Sequence, residues 1–191
     1  MQRLILIRHA RPRIDYTRRL SSREAAEMLA VYNTTHDIIP SEPELSRARQ
    51  LLNGALVLAS PSPRVRATVD VLQVDAPRCD PLFWEADLAI PSLPGLRTRF
   101  ERWLVVSRSL WLMSVRGQAT ETFGEAWPRS KVAYGRLLEA GAERDVVALV
   151  GHNFLSLCLA WHARAEGWRL AQSSGSGYLS LAGYARILKR A

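Results

Sequence analysis

The stretch Leu4-Ile5-Leu6-Ile7-Arg8-His9-Ala10 is the most informative segment of this 191-residue chain. Its four consecutive branched aliphatic residues predict a strand buried on both faces, as in the centre of a parallel sheet. An arginine and a histidine follow at once, and in open α/β sheets ligands bind at the carboxyl ends of strands. The pattern indicates a pocket for an anion, although an ordinary charged surface loop is the simpler interpretation of this segment alone.

Two more apolar segments end in a similar way. Residues 55–59 run into a turn rich in serine and proline, and Arg64 lies in the first turn of the helix predicted to follow. Residues 145–150 are followed by Gly151 and His152, where another predicted helix begins. Parallel crossovers bring the carboxyl ends of such strands to one edge of the sheet. The sequence therefore predicts one phosphate pocket, formed by Arg8, His9, Arg64 and His152.

The alternation of predicted strands and helices indicates an α/β fold, a three-layer α/β/α sandwich with a mostly parallel central sheet. The chain length and the lack of a linker indicate a single catalytic domain spanning residues 1–191. Helices are predicted at residues 21–32, 44–52, 95–113 and 122–140, with two more beginning near residues 63 and 153. A short strand is expected near residue 78 and a final strand within residues 177–185.

The composition narrows the class of protein and of partner. The net charge of +8 favours an anionic partner, but the basic residues are dispersed, which argues against nucleic acid. No apolar run approaches the roughly 18 residues that span a membrane, and the first apolar run is too short for a secretory signal. Cys79 and Cys158 lack a metal-type spacing and indicate reduced thiols. We therefore expect a cytoplasmic protein with no membrane partner.

Four motifs resemble those of the histidine phosphatase superfamily, which includes the cofactor-dependent phosphoglycerate mutases. Residues 6–10 resemble its Arg-His-Gly signature, and residues 59–68 its Ser-Ser-x-x-x-Arg-Ala-x-Gln-Thr segment. Residues 147–153 are similar to its second-histidine motif, and Glu121 with Thr122 resembles a Glu-Ser pair that often precedes a late helix. The motifs occur in family order, and the resemblance implies a phosphoglycerate mutase-like fold.

The sequence departs from the family pattern in three places. Ala10 stands where the family has glycine, and Ala67 stands where it often has glutamine. The serine and asparagine that follow the first histidine in the mutases are absent, because residues 11–15 are Arg-Pro-Arg-Ile-Asp. The last departure favours a phosphatase over a mutase.

The resemblance and the chemistry of the side chains together imply their roles. His9 is expected to attack phosphorus and form a phosphohistidine, because neutral imidazole is a competent nucleophile near neutral pH. Arg8 and Arg64 are expected to clamp the phosphoryl oxygens, with His152, protonated against the dianion, as a further donor. No metal and no cofactor is expected, because the arginines supply the positive charge.

A carboxylate is needed to protonate the leaving group and to activate water. Glu85 is the candidate, because its position after Leu82-Phe83-Trp84 resembles that of the acidic acid/base residue of the family. Asp87 is the alternative, and a solvated carboxylate in a surface loop also fits the sequence at Glu85. The helix that starts after His152 is expected to point its first amide groups at the phosphate.

The leading hypothesis is a metal-independent phosphatase that hydrolyses phosphomonoesters through phospho-His9. A protein phosphatase acting on phosphohistidine or phosphoserine is an alternative, and so is a non-catalytic module that binds anions or phosphorylated ligands. The substrate is thus a phosphorylated small molecule or a phosphoprotein, and the sequence leaves that choice open. The oligomeric state is open as well, since the tryptophans of the two long helices fit either a core or an interface.

Overall fold

The computed structural model describes residues 1–113, 121–142 and 144–187 of the chain. The elements in these ranges, in chain order, are β1 (Gln2–Arg8), β2 (Arg11–Pro12), β3 (Arg19–Leu20), α1 (Ser22–Thr34), β4 (Ile38–Ile39), α2 (Glu42–Leu52), β5 (Leu56–Ala59), α3 (Pro63–Leu72), β6 (Arg78–Cys79), a 3₁₀ turn (Pro81–Phe83), β7 (Thr98–Arg99), α4 (Phe100–Leu112), α5 (Phe123–Ala140), β8 (Val146–Gly151), α6 (Asn153–Ala165), β9 (Arg169–Ser173) and β10 (Leu181–Arg186).

The central sheet has the strand order β6-β5-β8-β1-β10-β9. Strands β6, β5, β8 and β1 are parallel, whereas β10 runs antiparallel to both of its neighbours. In the register, Val150 of β8 pairs with Ile7 on one side and with Ala59 on the other. The three apolar strands therefore end at the same level, and the residues after them share one edge of the sheet.

The two faces of the sheet bury different side chains, because successive residues of a strand point to opposite sides. Ile5 and Ile7 pack with residues of α2 and α3 on one face, and Leu4 and Leu6 pack with residues of α5 and α6 on the other. Such burial on both faces is what the continuous aliphatic runs of β1, β5 and β8 require. The predicted α/β/α layers and the mostly parallel sheet are confirmed.

A third apolar cluster joins α1 to α4 beside the sheet. Trp103 of α4 is fully buried in this cluster, and its indole N–H donates to the carbonyl of Leu20. Two small antiparallel pairs, β2 with β4 and β3 with β7, connect the surrounding loops. This cluster fixes one wall of the cavity described below.

The structure differs from the predicted elements at two main places. The helix expected from residue 95 begins at Phe100, because Gly95 adopts a φ of +80° and the short strand β7 pairs with β3. Strand β9 was not predicted, since its residues are almost all exposed and show no apolar alternation. None of the helices in the described part of the chain is both long and apolar enough to cross a membrane.

Candidate active site

A cavity of about 760 Å³ lies between the carboxyl edge of the sheet and helices α1 and α4. The side chains around it come from elements far apart in the sequence, which the strand register brings together. Every site residue predicted from the sequence lines this cavity, namely Arg8, His9, Arg64, Glu85, Asp87 and His152.

His9 is held in one tautomer by the backbone that follows it. The His9 Nδ1 lies 2.8 Å from the carbonyl oxygen of Ala10. A carbonyl oxygen can only accept, so Nδ1 carries the ring proton and Nε2 of the neutral ring carries a lone pair. The amide of Ala10 donates in turn to Thr68 Oγ1 on α3, at 2.9 Å, which fixes this turn. The lone pair of Nε2 is thereby oriented before any ligand binds.

Arg64 connects the two histidines. Its Nε donates to His9 Nε2 at 3.2 Å, and its Nη2 lies 3.4 Å from His152 Nδ1. Its Nη1 donates to the carbonyl oxygens of Tyr32 and Asn33 at the end of α1, at 3.2 and 3.3 Å. The side chain is 4 % exposed, and its carbon Cζ lies 4.7 Å from the centre of the Tyr32 ring. A buried cation is therefore fixed between two imidazoles.

Burial, followed by the charge of Arg64, lowers the pKa of both His9 and His152 well below the usual value for histidine. His152 Nδ1 accepts from Arg64, so its Nε2 carries the proton and donates to Ser60 Oγ at 2.9 Å. In the absence of a ligand His152 is thus neutral. Protonation of His152, as expected from the sequence, requires the negative charge of a bound phosphate.

Arg8 is the second arginine close enough to His9 to lower its pKa. Its guanidinium lies 4.1 Å from the centre of the Tyr178 ring, and its Nη1 donates to the carbonyl of Ser176 at 3.1 Å. Its Nε is buried and has no hydrogen-bond partner among the described residues. Buried donors are nearly always satisfied, and Arg8 lines the cavity, so this Nε is a candidate donor for a ligand oxygen.

Glu85 is bound to the start of α6. Its two carboxylate oxygens accept from the amides of Phe154 and Leu155, each at 3.0 Å. The sequence predicted that the first amides of this helix point at the phosphate, and for these two amides that prediction is wrong. The carboxylate occupies them instead, because a negative side chain is favoured at a helix N-terminus. Glu85 is consequently held at a fixed place in the cavity wall.

The backbone on both sides of Glu85 is fixed by two arginines. Arg129 of α5 donates to the carbonyls of Leu82 and Trp84, both at 3.0 Å, and Arg108 of α4 donates to the carbonyl of Ala86, also at 3.0 Å. Arg129 is itself paired with Glu121 through two contacts of 2.6 and 2.8 Å. The family-like Glu121 therefore acts on the loop of Glu85 and does not line the cavity.

Sequence reasoning missed several residues of the site. Tyr178 and Ser176 lie in the loop between β9 and β10, where no local motif marks them. Ser60 was part of a quoted motif, but only the structure shows that it binds His152. Arg108 lies within a predicted helix, and nothing in the helix pattern distinguishes it from a solvated residue.

Other charged residues near the motifs lie outside the cavity. Arg11 contacts the Tyr16 ring and pairs with Glu101, and Arg13 pairs with Asp37. His162 is buried, its Nε2 lies 3.0 Å from Ser130 Oγ, and it does not line the cavity. Among the described residues, no three His, Cys, Asp or Glu side chains are grouped so that they could hold a metal ion.

No family model and no curated protein matches this chain, but solved structures do. A mycobacterial glucosyl-3-phosphoglycerate phosphatase matches with 17 % identity and a TM-score of 0.52, over 84 % of this chain and 78 % of that one. A phosphoserine phosphatase from Entamoeba histolytica matches with 14 % identity and a TM-score of 0.54, over 96 % and 90 %. The protein YhfR from Bacillus stearothermophilus matches with 16 % identity and a TM-score of 0.55, over 86 % and 81 %.

The chain has the phosphoglycerate mutase-like fold of the histidine phosphatases. This likeness confirms the resemblance inferred from the sequence motifs at the level of the fold. In the phosphoglycerate mutase-like fold of this chain, the motifs around Arg8, Arg64 and His152 all meet at one cavity. What that cavity does depends on the side chains within it.

The depressed pKa values of His9 and His152 predict how stability depends on pH. Below about pH 6.5 the unfolded chain protonates both imidazoles, whereas the folded protein keeps them neutral, so the free energy of unfolding falls as the pH falls. Each histidine contributes a slope of up to about 1.4 kcal/mol per pH unit. Urea denaturation between pH 5.5 and 7.5 measures this slope.

The variants His9→Gln and His152→Gln are each expected to reduce the slope of the unfolding free energy against pH by up to about 1.4 kcal/mol per pH unit. His36→Gln is the matched control, because it removes an exposed imidazole. An unchanged slope in both buried-site variants would mean that these imidazoles do not resist protonation in the folded protein.

Proposed function

We propose that this protein is a metal-independent phosphatase that hydrolyses phosphomonoesters through a phosphohistidine on His9. The supporting observation is a neutral imidazole with a defined lone pair, buried between two guanidinium groups and a second imidazole in one cavity. Arginine is well suited to bind phosphoryl oxygens because it stays charged and donates in a planar fork. The names of two structural neighbours, a glucosyl-3-phosphoglycerate phosphatase and a phosphoserine phosphatase, also support it.

In the first step, the lone pair of His9 Nε2 forms a bond to phosphorus and the bond from phosphorus to the leaving oxygen breaks. Arg64 turns its Nε from His9 to a phosphoryl oxygen, and the unsatisfied Nε of Arg8 binds another. His152 takes a proton from solvent as the dianion binds, donates from Nδ1 to a phosphoryl oxygen, and loses the proton to solvent when phosphate leaves. Donors that are fixed in advance around the developing charge usually contribute most of the rate enhancement in such reactions.

Protons pass through Glu85 in this scheme. Glu85 takes a proton from solvent before the first step and gives it to the leaving alkoxide, and the resulting carboxylate then removes a proton from water. The water oxygen bonds to phosphorus, the bond from phosphorus to Nε2 breaks, and the electron pair returns to His9. Glu85 is preferred to Asp87 because helix α6 holds both of its oxygens in place, and each oxygen keeps a second lone pair.

Replacement of the nucleophile gives the first test. We expect the parent to hydrolyse p-nitrophenyl phosphate in the presence of EDTA, and His9→Ala to lose at least 10³-fold in kcat/KM, roughly the scale at which single catalytic groups act. His36→Ala is the control. A folded His9→Ala variant that hydrolyses as fast as the parent would exclude phospho-His9. A folded parent without any turnover would favour the phosphate-binding module.

Substrates whose leaving groups differ in their need for a proton identify the general acid. Glu85→Ala should lower kcat/KM for ethyl phosphate by about 10²- to 10⁴-fold, the usual contribution of a general acid, and for p-nitrophenyl phosphate far less. The reason is that nitrophenolate departs without a proton, whereas ethoxide needs one. Asp87→Asn is the matched variant. If Asp87→Asn shows the selective loss and Glu85→Ala does not, the acid is Asp87.

A further inference from the structure

The cavity extends well beyond the phosphate end. Its other part, here called the apolar arm, is formed mainly by Leu88, Leu104, Val105, Leu112, Phe154 and Leu157. The α4 residues of this arm recur with helical spacing along one face, and Phe154 and Leu157 are three apart on α6. Two helices thus line one apolar cleft that is continuous with the site of His9.

Three of the six side chains of the apolar arm are exposed, and the other three are partly buried. Val105 is 65 % exposed and Leu157 is 59 % exposed, and Leu112 and Trp84 at the same cavity are also exposed. A contiguous exposed apolar patch marks a ligand site more often than isolated exposed residues do. The cavity volume of about 760 Å³ also lies within the range typical of small-molecule sites. A phosphoryl group alone leaves most of this space unfilled.

Polar side chains such as Asn33, Thr34 and Asn153 also line the cavity, but the charged residues beside the apolar arm are engaged already. Glu101 pairs with Arg11, and the guanidinium of Arg108 stacks on the Phe154 ring while its Nη2 holds the carbonyl of Ala86. Arg108 Nη1 is a buried donor without a partner among the described residues. Within the apolar arm it is one donor among six apolar side chains, a lining that suits a hydrocarbon better than a sugar or a peptide backbone.

We infer that the substrates are phosphomonoesters with an apolar leaving group, an alkyl or aryl alcohol that lies in the apolar arm while its phosphoryl group contacts His9. This inference rests on the proposed phosphatase function and names its substrate class. Burial of a peptide or a polyol in the arm would leave polar groups without partners, which is costly. The same cost argues against a phosphoprotein as the substrate.

The test is a series of n-alkyl phosphates from ethyl to octyl, used below micelle-forming concentrations, with phosphoserine, glycerol phosphate and a phosphoserine peptide for comparison. We expect kcat/KM to rise about two- to fourfold for each added methylene, the upper limit being the factor for a CH₂ group that leaves water completely. The polar phosphates should be poorer than hexyl phosphate. A flat series, or faster turnover of the phosphopeptide, would overturn the inference.

Val105→Asn tests whether the arm causes the rise. Val105 is exposed, so the variant is expected to fold. The rise in kcat/KM per methylene should become smaller, and the loss in kcat/KM relative to the parent should be smallest for ethyl phosphate. Val132→Asn on α5 is the matched control, because Val132 is 59 % exposed and does not line the cavity. An unchanged chain-length dependence in Val105→Asn, equal to that of the control, would show that the alkyl group lies elsewhere.

A binding measurement separates this inference from the proposed function. If the parent hydrolyses ethyl phosphate but kcat/KM does not rise with chain length, the proposed phosphatase function is supported and the role of the apolar arm is rejected. If nothing is hydrolysed, calorimetry of octyl phosphate and ethyl phosphate with the parent still decides. Tighter binding of octyl phosphate, lost in Val105→Asn, supports the arm, and equal affinities exclude it.

Discussion

Arg64 is a cation buried at the carboxyl edge of the sheet, and the arrangement of the site follows from it. Its hydrogen-bond partners among the described residues are imidazole nitrogens and oxygens of Tyr32 and Asn33, none of them a carboxylate. A buried charge with no hydrogen-bonded counter-charge is costly, and the histidines beside Arg64 stay neutral. In the proposed reaction, an entering phosphate brings a negative charge to Arg64 and finds the imidazole of His9 already neutral. The proposed binding of phosphate and the neutral state of the proposed nucleophile thus depend on the same buried cation.

The position of Glu85 depends on a second, separate network. Glu121 holds Arg129, Arg129 holds the carbonyls on one side of Glu85, and Arg108 holds the carbonyl on the other. The carboxylate itself is bound to the start of α6, the helix that directly follows His152. The acid/base candidate and the second histidine thus share one support, so their separation is set by the backbone rather than by flexible side chains.

Much of this arrangement could be predicted from the sequence because three strands are buried on both faces. A strand of that kind has to be central and parallel, so its carboxyl end and the residues after it, such as His9, have to lie at one edge. What the sequence could not show is which distant loops complete the site. Tyr178 contacts Arg8 although the two residues are 170 positions apart in the sequence, and no periodicity encodes such a contact. The amides of α6 were expected at the phosphate because the helix start is visible in the sequence, whereas their partner Glu85 depends on how a proline-containing loop folds back.

The proposed mechanism requires a covalent phosphohistidine on His9, and trapping this intermediate tests it directly. Glu85→Gln retains an oxygen for the helix amides but cannot deprotonate water, so with p-nitrophenyl phosphate the first step proceeds and the second stalls. After a quench in base, in which phosphohistidine survives, mass spectrometry of the peptides locates the group. We expect one equivalent of nitrophenol to be released in a burst and one phosphoryl group to be found on His9. A burst without phosphoryl on His9, or with the group on another residue such as Ser60, would contradict it.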